Sequence, residues 1–304
     1  MKRIYLIATG GTIACRQTPH GYEPVLDGQT LLNAVPERLR CCEVTVRDLM
    51  CVDSTDVTTE QRAEIVREIW NNRSRYDGFV VTHGTDTMAY TAAVLYRALE
   101  AFDKPVIVTG SMHPLGVPDS DAEDNLCGAL AAACSDYRGA AVLCGGLLLR
   151  GCDAVKIHSS RPNAFAAVSG VPDGSWDGET FTIAHRPPEG SMALHLPKNI
   201  RTAVLDMAPG FAPEVLLACR GLDAVVLRGY GMGGVPSGLV SVVEAVAQSG
   251  TRVLLSTQCA HGGADSTVYA VGQRIERAGA VCLGAQSVED ALACIACGVD
   301  VHSA

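Results

Sequence analysis

The chain has 304 residues, 48% hydrophobic and 19% charged, enough apolar side chain for two packed domains and too little polarity for long disorder. Its 24 basic and 33 acidic residues give a net charge of −9, a field that repels phosphate backbones and argues against nucleic acid as a partner. No stretch approaches the roughly 20 apolar residues of a membrane span, so no membrane partner is expected.

Met1-Lys2-Arg3 and the short apolar run Ile4–Ala8 imitate the start of a signal peptide, but Thr9-Gly10-Gly11-Thr12 interrupts the run at once. A buried first strand and a cytoplasmic location explain it better. Most of the thirteen cysteines sit inside apolar segments, Cys127 and Cys134 in one helical pattern and Cys144, Cys259 and Cys282 near strands, and read as free buried thiols of a reducing compartment. Cys294-x-x-Cys297 lies in a terminal helical pattern without a second such pair, which favours core packing over metal or redox chemistry. Cys41-Cys42 reads as structural.

In chain order, the patterns predict strands over Arg3–Ala8 and Val44–Cys51, then a helix over Thr58–Arg73 opened by the capping box Thr58-x-x-Gln61. A strand over Phe79–Thr82 precedes a helix over Met88–Ala101. Pro105–Thr109 is a strand, Asp121–Ser135 a helix and Ala140–Cys144 a strand. The proline- and glycine-rich stretch Val171–Lys198 has no long helical pattern and reads as a crossing segment or linker. Beyond it, strands over Thr202–Met207, Ala224–Arg228, Arg252–Thr257 and Val281–Gly284 alternate with helices over Pro213–Arg220, Val240–Ser249, Thr267–Ala278 and Val288–Cys297. Such alternation predicts an α/β protein of two domains. The first, residues 1–185, is a larger doubly wound, parallel-rich sheet. A linker over 186–200 leads to a smaller three-layer α/β domain over 201–304.

In open parallel sheets, ligands bind beyond the carboxyl ends of the strands. Three features sit there. Thr9-Gly10-Gly11-Thr12-Ile13-Ala14 follows the first strand, with two glycines for a sharp turn and a free hydroxyl on Thr12. It lacks the spacing of a phosphate-binding loop or a dinucleotide fingerprint. Thr82-His83-Gly84-Thr85-Asp86-Thr87 ends the Phe79 strand, where Asp86 or Thr87 could serve as a helix N-cap. His83 invites a metal or acid–base reading, but nothing at metal-ligand spacing supports it, and neither metal nor cofactor is expected. Lys156, in Arg150-Gly151-Cys152-Asp153-Ala154-Val155-Lys156, is by itself an ordinary surface lysine or a base with a depressed pKa.

Taken together these blocks resemble the bacterial-type L-asparaginase family, and within it the short cytoplasmic type. Lys104-Pro105-Val106-Ile107-Val108-Thr109-Gly110-Ser111, Leu227-Arg228-Gly229-Tyr230-Gly231 and Thr257-Gln258-Cys259 extend the resemblance over nearly the whole chain. It implies hydrolysis of L-asparagine to L-aspartate and ammonia through a threonine acyl-enzyme. Thr12, activated by Tyr22 on a mobile loop, is one nucleophile candidate, and Thr85 with Asp86 and Lys156 forms a second triad. Which threonine attacks first stays open, the resemblance favouring Thr12. It places Ser54 and Thr55 at the substrate α-carboxylate and Asp86 at its α-ammonium, with Gly11, Gly84 and Ser111 lining the same site. It further implies a homodimer or homotetramer and a regulatory asparagine site near Arg228 and Cys259.

The alternatives are a glutaminase or other small-amide hydrolase, and a non-catalytic amino-acid sensor on the same fold. The ammonia-generating subunit of a tRNA-dependent amidotransferase is expected to carry a further domain ahead of the Thr-Gly-Gly-Thr block, which here begins at residue 9. One departure from the family pattern is Ala122, where Ser-Asp-Gly is usual and a glycine would ease the backbone.

Overall fold

The computed structural model describes residues 1–19, 21–37 and 42–301. Two compact units emerge, one of residues 1–167 and 171–198 and one of residues 168–170 and 199–304. Cys41 lies outside the described residues.

The first unit starts with β1 (Lys2–Gly10) and a hairpin of β2 (Cys15–Thr18) and β3 (Gly21–Pro24). Helix α1 (Gly28–Ala34), β4 (Cys42–Val52), α2 (Thr59–Asn72), β5 (Gly78–Thr82) and α3 (Met88–Ala98) follow. Next come β6 (Leu99–Glu100), β7 (Pro105–Thr109), α4 (Ala122–Ala133), β8 (Gly139–Cys144) and β9 (Leu147–Arg150). The unit closes with β10 (Ala154–Lys156), β11 (Phe165–Ala167), β12 (Gly174–Trp176), β13 (Phe181–Ile183) and β14 (Ala193–Leu194). Eight strands form one sheet in the order β13-β12-β9-β8-β7-β5-β1-β4. From β4 to β8 the neighbours are parallel, and from β8 to β13 antiparallel.

Every residue of β5, β7 and β8 is buried, as parallel strands covered on both faces require. On one face Ile4, Leu6, Val80, Ile107 and Leu143 pack with Leu31 of α1 and with Leu126 and Leu130 of α4. On the other, Phe79 meets Tyr5 edge-on and lies against Phe102, which reaches Trp70 of α2. The capping box of α2 forms as its sequence dictates: Gln61 N–H donates to Thr58 Oγ1 and Thr58 N–H to Gln61 Oε1.

Helix α3 stops three residues short of its predicted end. Leu99 and Glu100 pair with β14 instead, and Ala101 takes a positive φ of 49°. The proline- and glycine-rich stretch is not an open crossing: β12 and β13 widen the large sheet at β9. Gly174 is needed there, since a Cβ on it would lie 2.4 Å from the Thr182 carbonyl.

The second unit is a four-stranded parallel sheet, β15 (Thr202–Asp206), β16 (Ala224–Gly229), β17 (Arg252–Thr257) and β18 (Ala280–Cys282), in that order. Its helices are α5 (Pro213–Leu217), α6 (Val240–Gln248), α7 (Ala270–Arg277) and α8 (Val288–Cys297). Val225, Leu227, Val253 and Leu255 face α5, α6 and α7, whereas the alternating Val226 and Leu254 face α8, giving three layers. Helix α7 starts later than its pattern predicts because Asp265 accepts from the Thr267 N–H and hydroxyl, a turn that competes with helix. Cys294 and Cys297 are buried in α8. No helix among the described residues is long and apolar enough to cross a membrane.

Candidate active site

Strands β1, β4, β5 and β7 run parallel and in register, Ala8 beside Thr82 and Thr82 beside Thr109, so their polar ends gather on one edge. The turns there touch through backbone. Gly10 and Gly11 hold φ of 97° and 79°. A Cβ on Gly11 would lie 2.2 Å from Gly84 N, one on Gly84 would lie 2.7 Å from Ser54 Oγ, and one on Gly110 would lie 2.2 Å from the His83 carbonyl. Glycine at these positions lets the turns after β1, β5 and β7 close backbone to backbone and seats the Ser54 side chain against Gly84.

Thr12 opens a 3-10 turn over Thr12–Ala14, directly after Gly11. Ser54 and Thr55 open a second such turn over Ser54–Asp56, where Asp53 accepts from both Thr55 N–H and Thr55 Oγ1 at 2.8 Å. Thr85 is buried beside Gly84. Lys156, brought in by the β10–β11 pair, extends Nζ to 2.9 Å from Thr85 Oγ1 and 2.6 Å from Asp86 Oδ1. Its side chain is 17% exposed and that of Asp86 62%. An amine so held can exchange a proton with the Thr85 hydroxyl while the carboxylate fixes its direction.

His83 is not placed for metal or acid–base work. It is fully buried, with Nδ1 2.7 Å from the Gly84 carbonyl and Nε2 2.9 Å from Thr91 Oγ1. The carbonyl only accepts, so Nδ1 carries the proton and Nε2 accepts from Thr91. Burial is the main force lowering its pKa to about 4, so the ring is neutral at neutral pH. Among the described residues no group of three His, Cys, Asp or Glu side chains is arranged to hold a metal.

Ser111 is buried, and its hydroxyl donates to the His113 carbonyl at 2.5 Å, within its own loop. Asp121 fixes that loop by accepting from Met112 N–H and His113 N–H. Buried Asn125 donates to the Gly110 carbonyl and accepts from Gly145 N–H, tying the loop after β7 to the turn after β8. Ala122 needs no glycine here: it begins α4, and the positive φ falls on Asp119 instead.

One predicted residue of this unit is not joined to the cluster by a hydrogen bond among the described residues. Tyr22 lies on the β2–β3 hairpin, 54% exposed, with no hydrogen bond to Thr12 among the described residues. Arg228 and Cys259 belong to the second unit. Arg228 pairs with Asp206 at 3.1 Å. Cys259 is exposed, which corrects the expectation of a buried thiol at this position. Cys259 sits past the end of β17, where its N–H donates to Thr257 Oγ1 and no apolar layer covers it.

Sequence reasoning missed Arg62 and the part played by Thr87. Thr87 occupies the N-cap of α3, yet its hydroxyl donates to the Ser54 carbonyl at 2.6 Å rather than capping the helix. Arg62 donates to Thr87 Oγ1, Thr91 Oγ1 and the Val57 carbonyl. A signal existed: Arg62 stands at i with Ile65, Val66 and Ile69 at i+3, i+4 and i+7, a charge on the buried stripe of α2.

A family model for the asparaginase N-terminal region matches residues 3–189, and one for the glutaminase/asparaginase C-terminal domain matches residues 201–300. An L-asparaginase of Thermococcus kodakarensis is 34% identical over 297 residues, covering 95% of this chain and 90% of that protein. A glutamyl-tRNA(Gln) amidotransferase chain of the same organism is 32% identical, covering 91% of this chain and 67% of its relative. The solved thermostable L-asparaginase from Thermococcus kodakarensis superposes with a TM-score of 0.91 at 33% identity, covering 97% of this chain and 92% of that one.

Proposed function

This chain belongs to the asparaginase family, and on that premise we propose that it hydrolyses the side-chain amide of L-asparagine to L-aspartate and ammonia. The observation that carries this reading is the triad contact of Lys156 with Thr85 and Asp86, set against the Gly11–Gly84 junction that brings the Thr12 turn to the same edge.

In this mechanism a threonine Oγ adds to the amide carbon while its proton passes to a base. For Thr85 that base is Lys156; for Thr12 it is Tyr22, delivered by closure of the β2–β3 hairpin. Protonation of the leaving nitrogen expels ammonia and leaves an aspartyl ester. Water then cleaves the ester and returns the proton to threonine. Ser54 and Thr55 receive the substrate α-carboxylate and Asp86 its α-ammonium. Gly11, Gly84 and Ser111 shape the walls. Arg228 and Cys259, on adjacent strand ends of the second unit, are proposed to belong to a regulatory asparagine site in a cytoplasmic homodimer or homotetramer.

The similarity to an amidotransferase chain favours a second reading, release of ammonia for a partner from the same site. One assay separates them: ammonia release by the isolated chain from L-asparagine, L-glutamine and D-asparagine, beside Thr12→Ala and Thr85→Ala. Turnover of L-asparagine that collapses in both folded variants supports the first reading. Release from none of the three overturns it.

A further inference from the structure

The turn proposed to receive the α-carboxylate is electrostatically hostile to it. Asp53 caps that turn, Asp56 ends it, and the whole chain carries −9. Lys156 is already engaged by Thr85 and Asp86. With Asp86 matched by Lys156 and by the substrate's own α-ammonium, an α-carboxylate bound at the turn still faces Asp53 and Asp56, and a compensating cation nearby favours it.

Arg62 lies beneath the turn. Its Nη1 donates to the Val57 carbonyl at 2.8 Å, at the end of the turn, and its Nη2 to Thr87 Oγ1 at 3.2 Å. Thr87 in turn donates to the Ser54 carbonyl, at the start of the turn. The third contact, Nε to Thr91 Oγ1 at 3.0 Å, leads through His83 to the Gly84 carbonyl. All its hydrogen-bond partners are neutral, and no carboxylate lies within ion-pair distance among the described residues. Burial lowers its pKa, yet a guanidinium stays charged at neutral pH. Carrying such a charge without an anion costs solvation, and the cost is recovered when an anion binds within a few ångströms.

From this we infer that Arg62 is a specificity-determining residue, the cation that makes the site require an α-carboxylate on its substrate. The inference rests on the proposed asparagine hydrolysis and on its assignment of the Ser54–Thr55 turn. Arg62 does not touch the substrate; it acts through its field and through the turn it holds. A purely mechanical brace would serve charged and neutral ligands alike. A counter-charge would not.

The experiment compares the KM for L-asparagine with the inhibition constant of L-asparagine α-amide, which replaces the carboxylate by a neutral group of the same shape. Both are measured on the native chain, Arg62→Met, Arg62→Gln and Arg62→Lys. Removing the charge should raise KM about tenfold and leave kcat within about threefold, with the α-amide constant nearly unchanged. Arg62→Lys should restore most of the native ratio. Arg62→Gln keeps a donor for the Val57 carbonyl and serves where Arg62→Met fails to fold. Thr87→Val, which cuts the bridge but keeps the charge, should shift both ligands together. Equal loss on both ligands in the charge-free variants, or no loss on either, overturns the inference while native turnover stands. A native chain that releases no ammonia from L-asparagine overturns the underlying reading and this inference with it.

Discussion

Gly11 and Gly84 meet backbone to backbone, so close that a methyl group on Gly11 would sit 2.2 Å from the Gly84 nitrogen. Each glycine is followed by a candidate nucleophile, Thr12 or Thr85. The distance between the two threonine turns is therefore set by main chain, which a side-chain change elsewhere cannot adjust. Gly11→Ala combines this clash with a φ of 79°, whereas Gly116→Ala has a similar φ of 84° in open space. Gly116→Ala should cost about 1 kcal/mol, the ordinary price of a left-handed alanine, and keep full activity. Gly11→Ala should cost roughly 3 kcal/mol or more and lower kcat about a hundredfold in whatever protein still folds. Urea unfolding and steady-state ammonia release read both effects. Equal behaviour of the two variants would show that strain, not contact, governs the junction.

The Lys156 contacts separate charge from basicity. Lys156→Met should lower kcat by about 10³-fold, within the range for loss of a general base. Lys156→Arg keeps a cation near Asp86 but cannot release a proton at neutral pH, so it should remain as inactive as the methionine variant. Asp86 is 62% exposed, so Asp86→Asn should leave thermal unfolding nearly unmoved while kcat/KM falls. An active Lys156→Arg protein would remove Lys156 from proton transfer.

Much of this fold is legible because its strands are uniformly apolar and its helices announce their ends. Pro105–Thr109, Arg252–Thr257 and Val288–Cys297 are bounded by pattern alone, and Thr58-x-x-Gln61 marks a cap that forms as written. The hairpin at Cys15–Pro24, helix α1 and the short strands from Ala154 to Leu194 are not legible. They span two to seven residues, too few for periodicity to accumulate. At the site, the motif blocks name the adjacent Thr85 and Asp86 and, 70 residues beyond Asp86, Lys156, which meets them in space. What no motif carries is the supporting layer. Asn125 and Thr91 are ordinary helical residues until the sheet places loops beside them, and Arg62 stands out only as a charge on the buried stripe of α2.

A partly buried ion pair ties the end of β9 to the residue before β12. Arg150, at the end of β9, donates twice to Asp173 at 2.9 Å, and Tyr137 adds its hydroxyl at 2.7 Å. The pairing raises the Arg150 pKa, and burial pushes the Tyr137 phenol well above its usual value. Asp173→Ala leaves a half-buried guanidinium without its anion and should cost about 3 kcal/mol in urea unfolding. Tyr137→Phe leaves the ion pair whole and should cost about 1 kcal/mol. The reverse ranking would mean that the phenol, not the ion pair, anchors the edge of the sheet.

The neutral His83 ring makes a pH prediction with a definite sign. Its folded pKa of about 4 lies below the ordinary 6.5, so between these values the unfolded chain binds the proton and the folded chain does not. This contribution is fully present above about pH 6.5 and is lost as pH falls toward 4, by ~3 kcal/mol in total. His83→Asn, which can still donate to the Gly84 carbonyl, should lose that slope while other carboxylate-driven changes remain. Unfolding free energies of both proteins from pH 7 to 4 give the comparison. If the difference between them stays constant across that range, His83 titrates as it does in water and the buried neutral ring is wrong.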